Sequence, residues 1–267
     1  MAEGRQIPHH GEAIVLRTWP FHEADLLVSL FTRDQGKVKG VARHAMRSRR
    51  RFGGALEPAT RVLAHYTERP KQELVRLDSF EILWSPLSAP IDTLRLAALQ
   101  LVTEVLEEAM PDLAPEDNLY RLAVTTLAAI QAGCPTSGLS DVGSQSASQS
   151  PQIYLPVTYF ALWMNRLMGW MPELGHCAAC GLDLKGQTVY WSPLADGVTC
   201  HDDRRPQSRP LSAASVAESH RIARTPLAEL ATEDWPATRA ADLRAFAIGT
   251  LERHLERRLR SAAFLSI

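Results

Sequence analysis

Three cysteines have the spacing of a zinc-knuckle site. Cys177 and Cys180 are separated by two residues, and Cys200 follows after nineteen more. Two thiolates at this spacing can converge on one ion from a tight turn, and Gly181 lets the backbone fold round the sulfurs. Three thiolates and one harder ligand suit tetrahedral zinc. The pattern therefore predicts one structural Zn²⁺ per chain, bound by Cys177, Cys180 and Cys200.

The fourth ligand of this site is open from the sequence alone. A second Cys-x-x-Cys would need a cysteine at position 203, where the chain has Asp203. Asp203 stands at the position that the missing cysteine would occupy, and His201 and His176 have side chains that can bind zinc. A water molecule is a further alternative. A zinc deaminase would need a proline before the Cys-x-x-Cys, and His176 stands there instead. The alternative to a metal site is a set of ordinary buried thiols, which we disfavour because three cysteines at knuckle spacing rarely cluster by accident.

A second chemical feature is a local excess of positive charge. Eight lysines and arginines lie between positions 33 and 51, with Asp34 as the only acid among them, although the whole chain has a net charge of -1. Phe52 and two glycines end the run. A basic groove with stacking rings is how OB barrels bind single strands, whereas a solvated loop is the alternative. The predicted DNA-binding residues are Lys37, Lys39, Arg43, Arg47, Arg49, Arg50 and Arg51.

The secondary structure that must position these residues is predicted to change along the chain from strands to helices. Alternating apolar and polar runs over 12–19, 25–32, 37–42, 59–67 and 73–81 predict five strands, which favours a small closed antiparallel barrel. Apolar residues at helical spacing then predict helices. The first predicted helix begins near residue 94, and four others cover 117–130, 157–170, 212–224 and 240–260. The polar stretch 134–151 predicts a mobile loop.

The predicted organisation is therefore an α+β multidomain protein with an N-terminal OB-fold barrel at 1–83. An α-helical domain follows at 84–170 and 206–267, with a zinc-binding insertion at 171–205. The N-terminus lacks the apolar region of a signal peptide, so a cytoplasmic protein without a membrane role is expected. The sequence contains no G-x-S-x-G, Walker or H-E-x-x-H motif, which argues against an enzyme.

Four stretches resemble the bacterial RecO family of DNA repair proteins. They are Ala13–Thr18, Glu23–Val28, Gly36–Ala42 and Arg49–Pro58, followed downstream by the Cys-x-x-Cys-Gly and a later cysteine. The resemblance is close over the first eighty residues and extends to the remainder by layout. Many members of the family place a fourth cysteine where this chain has Asp203.

The resemblance implies a recombination mediator without a bond-breaking active site. Such proteins bind single- and double-stranded DNA and anneal complementary strands. With the partner RecR they help to load the RecA recombinase on DNA coated by single-strand-binding protein; RecF and single-strand-binding protein are further expected partners. The DNA face carried over from the family is the set of seven basic residues named above.

Two other classes of function stay open. A zinc-stabilised protein-interaction module without a direct DNA role predicts weak DNA affinity that hardly changes when the basic run is neutralised. A zinc enzyme predicts an open metal position and loss of turnover, rather than loss of folding, when the metal is removed.

Overall fold

The computed structural model describes residues 6–48, 50–69, 72–88, 92–133 and 152–265. Arg49 and the polar stretch 134–151 with Cys134 lie outside these residues. The chain divides into two compact units, which we call the barrel unit and the C-terminal unit. The barrel unit consists of 1–92 and 99–127, and the C-terminal unit consists of 93–98 and 128–267.

The barrel unit contains a closed five-stranded barrel of OB type. The strands are β1 (Ile7–Pro20), β2 (Leu26–Thr32), β3 (Gly36–Ala42), β4 (Arg61–Glu68) and β5 (Val75–Trp84). Their order round the barrel is β1-β2-β3-β5-β4, with β3 and β5 parallel and the other pairs antiparallel. Closure leaves no strand of this barrel with an unpaired edge, which confirms the closed barrel expected from the sequence. The expectation that every pair is antiparallel is wrong for β3 and β5.

The barrel core follows the alternation of the strands. Val28 and Leu30 of β2, Val62 of β4 and Leu77 of β5 point inward and are almost completely buried. Phe52, from the segment between β3 and β4, enters the same core and meets Phe80 edge-on at 5.4 Å between ring centroids. The connection between β3 and β4 is thereby anchored to the barrel interior.

Two helices follow the barrel, α1 (Thr93–Ala109) and α2 (Asp117–Ala132). Within the barrel unit, the α2 residue Tyr120 packs its ring against Phe31 of β2 and donates its hydroxyl to Glu12. Burial, followed by the charge of Glu12, raises the pKa of Tyr120. Gly36 has φ +73°, and a Cβ there would lie 2.2 Å from the carbonyl oxygen of Ala114. This close approach brings the start of β3 against the connection between α1 and α2.

The C-terminal unit combines helices with a small sheet. The helices are α3 (Tyr154–Leu167), α4 (Ala213–Ile222), α5 (Leu227–Leu230) and α6 (Ala241–His254). The strands are β6 (Val189–Trp191), β7 (Val198–Thr199) and β8 (Arg209–Leu211), arranged in the order β7-β6-β8. Helices α3 and α6 pack together, and the side chain of Ser212 caps α4 by accepting a hydrogen bond from the N–H of Ser215. The whole is a mixed α+β protein with a barrel followed by helices.

Several element boundaries differ from the sequence predictions, and two elements were not expected. Helix α3 begins three residues before Val157, because Pro156 is accommodated in the first turn, where its missing N–H costs nothing. The predicted helix 240–260 is wrong at its C-terminal end, because α6 stops at His254 and Glu256 has a positive φ of 54°. The third strand of the small sheet, β8, and the short α5 were not predicted. No helix among the described residues is long and apolar enough to cross a membrane.

Candidate metal site and nucleic-acid interface

Four side chains of the C-terminal unit converge on one point. One ligand atom from each of Cys177, Cys180, Cys200 and Asp203 lies within 4.8 Å of all the others. The Oδ2 atom of Asp203 is 3.1 Å from the Sγ of Cys200 and 3.3 Å from the Sγ of Cys177, and the Sγ atoms of Cys180 and Cys200 are 4.0 Å apart. Cys177 and Cys200 are buried, and Cys180 is exposed.

This donor set fits a tetrahedral ion. Ligand atoms about 2.0–2.3 Å from a zinc ion at tetrahedral angles are roughly 3.3–3.8 Å from one another, close to the separations observed here. Burial opposes ionisation of Cys177, but backbone N–H groups led by that of Cys180 overcome it and lower the pKa of the thiol. Hydrogen bonds from the thiols, the largest from Cys180, also hold the pKa of Asp203 below its usual value. The group could therefore hold a metal ion.

Of the side chains considered for the fourth position, Asp203 is the one that the structure brings to the cysteines. The Nδ1 atom of His176 is 2.6 Å from a carboxylate oxygen of Glu173. The Nδ1 atom of His201 is 3.2 Å from Asp202, and its ring lies edge-on to Tyr190. Both imidazoles are therefore engaged with other residues, and neither belongs to the converging group.

The backbone round the cysteines is organised by a hairpin and two glycines. The N–H of Ala178 donates to Val198 on β7, and the N–H of Cys200 donates to the Sγ of Cys177 at 3.3 Å. Gly181 (φ +76°) closes the knuckle turn. At Gly197 (φ +77°) a Cβ would lie 2.7 Å from the side chain of Ala178. The hairpin consists of β6 and β7, which pair antiparallel between Cys180 and Cys200.

The same segment has a small apolar core of its own. Trp191 is buried and packs edge-on to Phe246 of α6 at 5.5 Å, and Gly249 lets the helix approach the indole closely. Val189 and Val198 are fully buried on the neighbouring strands. The segment is therefore held by packing as well as by its ligand group, although its composition predicts little burial.

The basic run divides into an exposed loop and a buried part. The basic loop, residues 43–51, leaves β3 and includes the short 3-10 turn Ala45–Arg47. Arg43, Arg47 and Arg50 are exposed, and none of their side chains forms an ion pair or hydrogen bond with another described residue. The three guanidinium groups therefore present uncompensated positive charge beside the barrel.

Arg51 and Phe52 hold the basic loop in place. The guanidinium of Arg51 donates to the carbonyl of Arg43 and to the Oγ of Ser48, and it lies over the ring of Phe52 at 5.2 Å. Because Phe52 is buried in the barrel core, it has no free face for a nucleobase, contrary to the stacking role suggested by its position after the arginines. Arg51 is half-buried and fixes the loop.

Lys37 and Lys39 point to the α1–α2 connection rather than to the basic loop. The Nζ of Lys37 donates to the carbonyl of Glu107 at 2.8 Å and is 3.3 Å from a carboxylate oxygen of Asp112, and its side chain is 9% exposed. The Nζ of Lys39 is 3.8 Å from Asp112. Alternation correctly places both lysines on one face of β3, but that face is covered near Lys37.

An exposed aromatic ring near the basic loop was not predicted. Phe21, in the loop between β1 and β2, is 41% exposed and lies against His22 at 4.3 Å. That loop is tied to the basic loop, because the N–H of Met46 donates to the carbonyl of Ala24 and the N–H of His44 donates to Asp25. A phenylalanine in the short connection between two strands, where no core position is expected, is the sequence signal that could have identified it.

Comparison with known proteins agrees with this layout. A family model described as "Recombination protein O N terminal" matches residues 7–86, and one described as "Recombination protein O C terminal" matches residues 146–263. The chain belongs to the RecO family. It is 45% identical to the DNA repair protein RecO of Koribacter versatilis, covering 95% of this chain and 96% of that protein.

Other RecO proteins are similar over the same length. The DNA repair protein RecO of Anaeromyxobacter dehalogenans is 33% identical, covering 94% of this chain and 93% of that protein. The protein of the same name from Geobacter sulfurreducens is 32% identical, covering 97% of each chain. The resemblance stated from the sequence is thereby confirmed, and RecO membership supports a role in DNA repair and recombination.

Proposed function

We propose that this RecO-family protein is a non-enzymatic recombination mediator that binds single- and double-stranded DNA. In this proposal it anneals complementary strands and, with RecR, helps to load RecA on DNA coated by single-strand-binding protein. RecF and single-strand-binding protein are further partners, and the protein is cytoplasmic and nucleoid-associated when engaged on DNA. The observation that carries the proposal is the basic loop, whose exposed arginines have no acidic partner among the described residues.

The DNA face of this proposal is centred on Arg43, Arg47 and Arg50, with Arg49 carried over from the sequence. Guanidinium groups that neutralise phosphates on two strands reduce their repulsion, and phosphate contacts carry no base information, so strands can search for register. Phe21 is the proposed stacking ring, because base–aromatic stacking is sequence-tolerant. Lys39 is a proposed contact away from this centre, because its side chain is 34% exposed but faces the α1–α2 connection. Arg51 supports the loop, and Lys37 is left out because its side chain is only 9% exposed.

The metal part of the proposal is one structural Zn²⁺ bound by Cys177, Cys180, Cys200 and Asp203. This ion organises the segment 171–205, which is inserted in an α-helical domain. Three thiolates and a carboxylate are a donor set that zinc accepts, and four protein ligands leave no open position for a substrate. When bound, the ion would cross-link the knuckle turn to the end of β7. The expected consequence of its removal is local loosening of this segment, with the barrel unit still folded.

The test of DNA binding is the salt dependence of single-strand affinity. Each phosphate contact contributes about -0.7 to the slope of log affinity against log salt, so R43Q/R47Q/R50Q should make the slope shallower by roughly two. Binding is measured by fluorescence anisotropy with labelled oligothymidylate. The matched control is R205Q/R224Q/R258Q, three exposed arginines of the C-terminal unit. An equal loss in the control would place the main DNA face elsewhere, and weak wild-type binding without salt dependence would favour the interaction module.

A further inference from the structure

The three thiols of the candidate metal site differ in how accessible and how fixed they are. Cys177 and Cys200 are buried, whereas Cys180 and both of its chain neighbours are exposed. The Sγ of Cys177 accepts the N–H of Cys200 at 3.3 Å, and the N–H of Cys177 donates to the carbonyl of Leu182 at 2.8 Å. Cys180 lies in the turn that these hydrogen bonds enclose. A reagent in the solvent therefore reaches Cys180 first.

A second thiol lies close to the exposed one. The Sγ atoms of Cys180 and Cys200 are 4.0 Å apart, and the sulfurs of a disulfide are about 2.05 Å apart. An approach of about 2 Å would join them, which a side chain in an exposed turn can supply. Cys180 and Cys200 are 20 positions apart in the sequence, so their bond would close a loop round the β6–β7 hairpin.

The packing of this segment does not depend on the ligand group alone. Trp191 of β6 packs edge-on to Phe246 of α6, and Val198 of β7 is fully buried. Asp196, between β6 and β7, forms an ion pair with Arg253 of α6. The hairpin can therefore stay attached to α6 when the bonds among the four ligand side chains change.

We propose that Cys180 is a peroxide-reactive residue and that Cys200 resolves its oxidised form, so that a peroxide converts the metal site into a disulfide. The inference rests on the proposed zinc site and adds a reaction that this site would undergo. Its structural basis is an exposed thiol with a second thiol beside it, the arrangement typical of redox-sensing cysteines.

The reaction has two steps. The thiolate sulfur of Cys180 attacks one oxygen of the peroxide, the O–O bond breaks, and hydroxide leaves, which gives a sulfenic acid. The thiolate of Cys200 then attacks the Cys180 sulfur and displaces a second hydroxide as the disulfide forms. The two sulfurs together lose two electrons, and hydrogen peroxide is reduced to two hydroxide ions, which take up protons to form water.

The disulfide removes two of the four proposed ligands. Cysteine binds metals as the thiolate, and neither sulfur of a disulfide is a thiolate. Cys177 and Asp203 would be the remaining protein ligands, whereas structural zinc sites have four. A peroxide should therefore release the ion, and a dithiol reductant supplied with zinc should restore it.

The test titrates zinc-loaded C134S with hydrogen peroxide, because this background leaves only the three thiols of the site. We expect release of one equivalent of zinc to a chromogenic chelator, loss of two of the three thiols, and a mass lower by two hydrogens. Trypsin cleaves after Lys185, between Cys180 and Cys200, so the disulfide should link two tryptic peptides. In zinc-free protein, C134S/C177S should form the same link, and C134S/C180S should lose its thiols more slowly.

Several results would overturn the inference. A link between Cys177 and Cys180 stays within one tryptic peptide and would show that Cys200 is not the resolving thiol. Equal rates of thiol loss in C134S/C177S and C134S/C180S would show that Cys180 is not the reactive residue. Zinc-loaded protein that keeps its ion and all its thiols in peroxide removes the inference alone. Protein that holds no zinc before peroxide is added removes the metal site and this inference together. Because peptide mapping of C134S uses all three ligand cysteines, it decides the pairing even if a serine variant does not fold.

Discussion

Lys37→Met separates a structural role of this lysine from a role in DNA binding. The ammonium of Lys37 donates to the carbonyl of Glu107 at 2.8 Å inside the barrel unit, and a hydrogen bond of a charged group contributes about 1.5–3 kcal/mol. Its ion pair with Asp112 adds little, because the Asp112 side chain is 58% exposed. Methionine keeps the volume of the stem. We therefore expect the free energy of unfolding, measured by urea titration, to fall by about 2 kcal/mol.

The same variant should leave the salt slope of DNA binding unchanged, because a buried ammonium with two protein partners releases no counterion from a phosphate. Lys39→Met is the matched control: the side chain of Lys39 is 34% exposed and its Nζ is 3.8 Å from Asp112, so its loss should cost less than about 1 kcal/mol. The reasoning is refuted if Lys37→Met unfolds like the wild type and makes the slope shallower by about 0.7, the value of one phosphate contact.

Three further changes have defined outcomes. In protein loaded with zinc, Asp203→Ala should speed transfer of the ion to a chromogenic chelator, and Asp203→Cys should restore slow transfer; wild-type kinetics in the alanine variant would remove Asp203 from the proposed ligand set. Phe21→Ala should weaken single-strand binding by about 1–3 kcal/mol without changing the salt slope, whereas Phe21→Trp should bind like the wild type. Hydrogen bonds from Ser215 and the N–H of Ser212 outweigh burial and lower the pKa of Asp242, so its carboxylate stabilises the fold above the unfolded pKa of about 3.9. Asp242→Asn should therefore cost about 1 kcal/mol at pH 7 in thermal melts, and the difference should vanish as the pH falls through the lowered pKa.

The barrel strands could be predicted because alternation is a local property of the sequence. Val28 and Leu30 alternate with residues of the other face, and the pattern is sufficient to identify β2 and its inward side. The same rule places Lys37 and Lys39 on one face of β3. It carries no information about which segment covers that face, because Glu107 and Asp112 are about seventy residues away in the sequence.

The sequence predicts more of the metal site than of the proposed DNA face. Cys177 and Cys180 are close in sequence, so a tight turn alone brings them together, and the register of the pattern points to position 203 for the last ligand. The surroundings of Phe52 depend instead on where the chain crosses the end of the barrel. Its position after three arginines suggested a ring near DNA, whereas its contact with Phe80 shows a core residue. Local spacing in the sequence therefore predicts the cysteine ligands, whereas tertiary packing determines the surroundings of Phe52.

The anchoring of Phe52 has a consequence for how the basic loop would meet DNA. The loop is fixed at one end by Phe52 and Arg51 and near the other by the hydrogen bond from the N–H of His44 to Asp25. Ordering a flexible chain on binding costs conformational entropy for each residue that is immobilised. A loop held at both ends has less entropy to lose, so Arg43, Arg47 and Arg50 can meet phosphates with little reorganisation. Arg51→Ala removes the hydrogen bond to the carbonyl of Arg43. It should therefore lower the DNA affinity by more than the removal of one positive charge would alone.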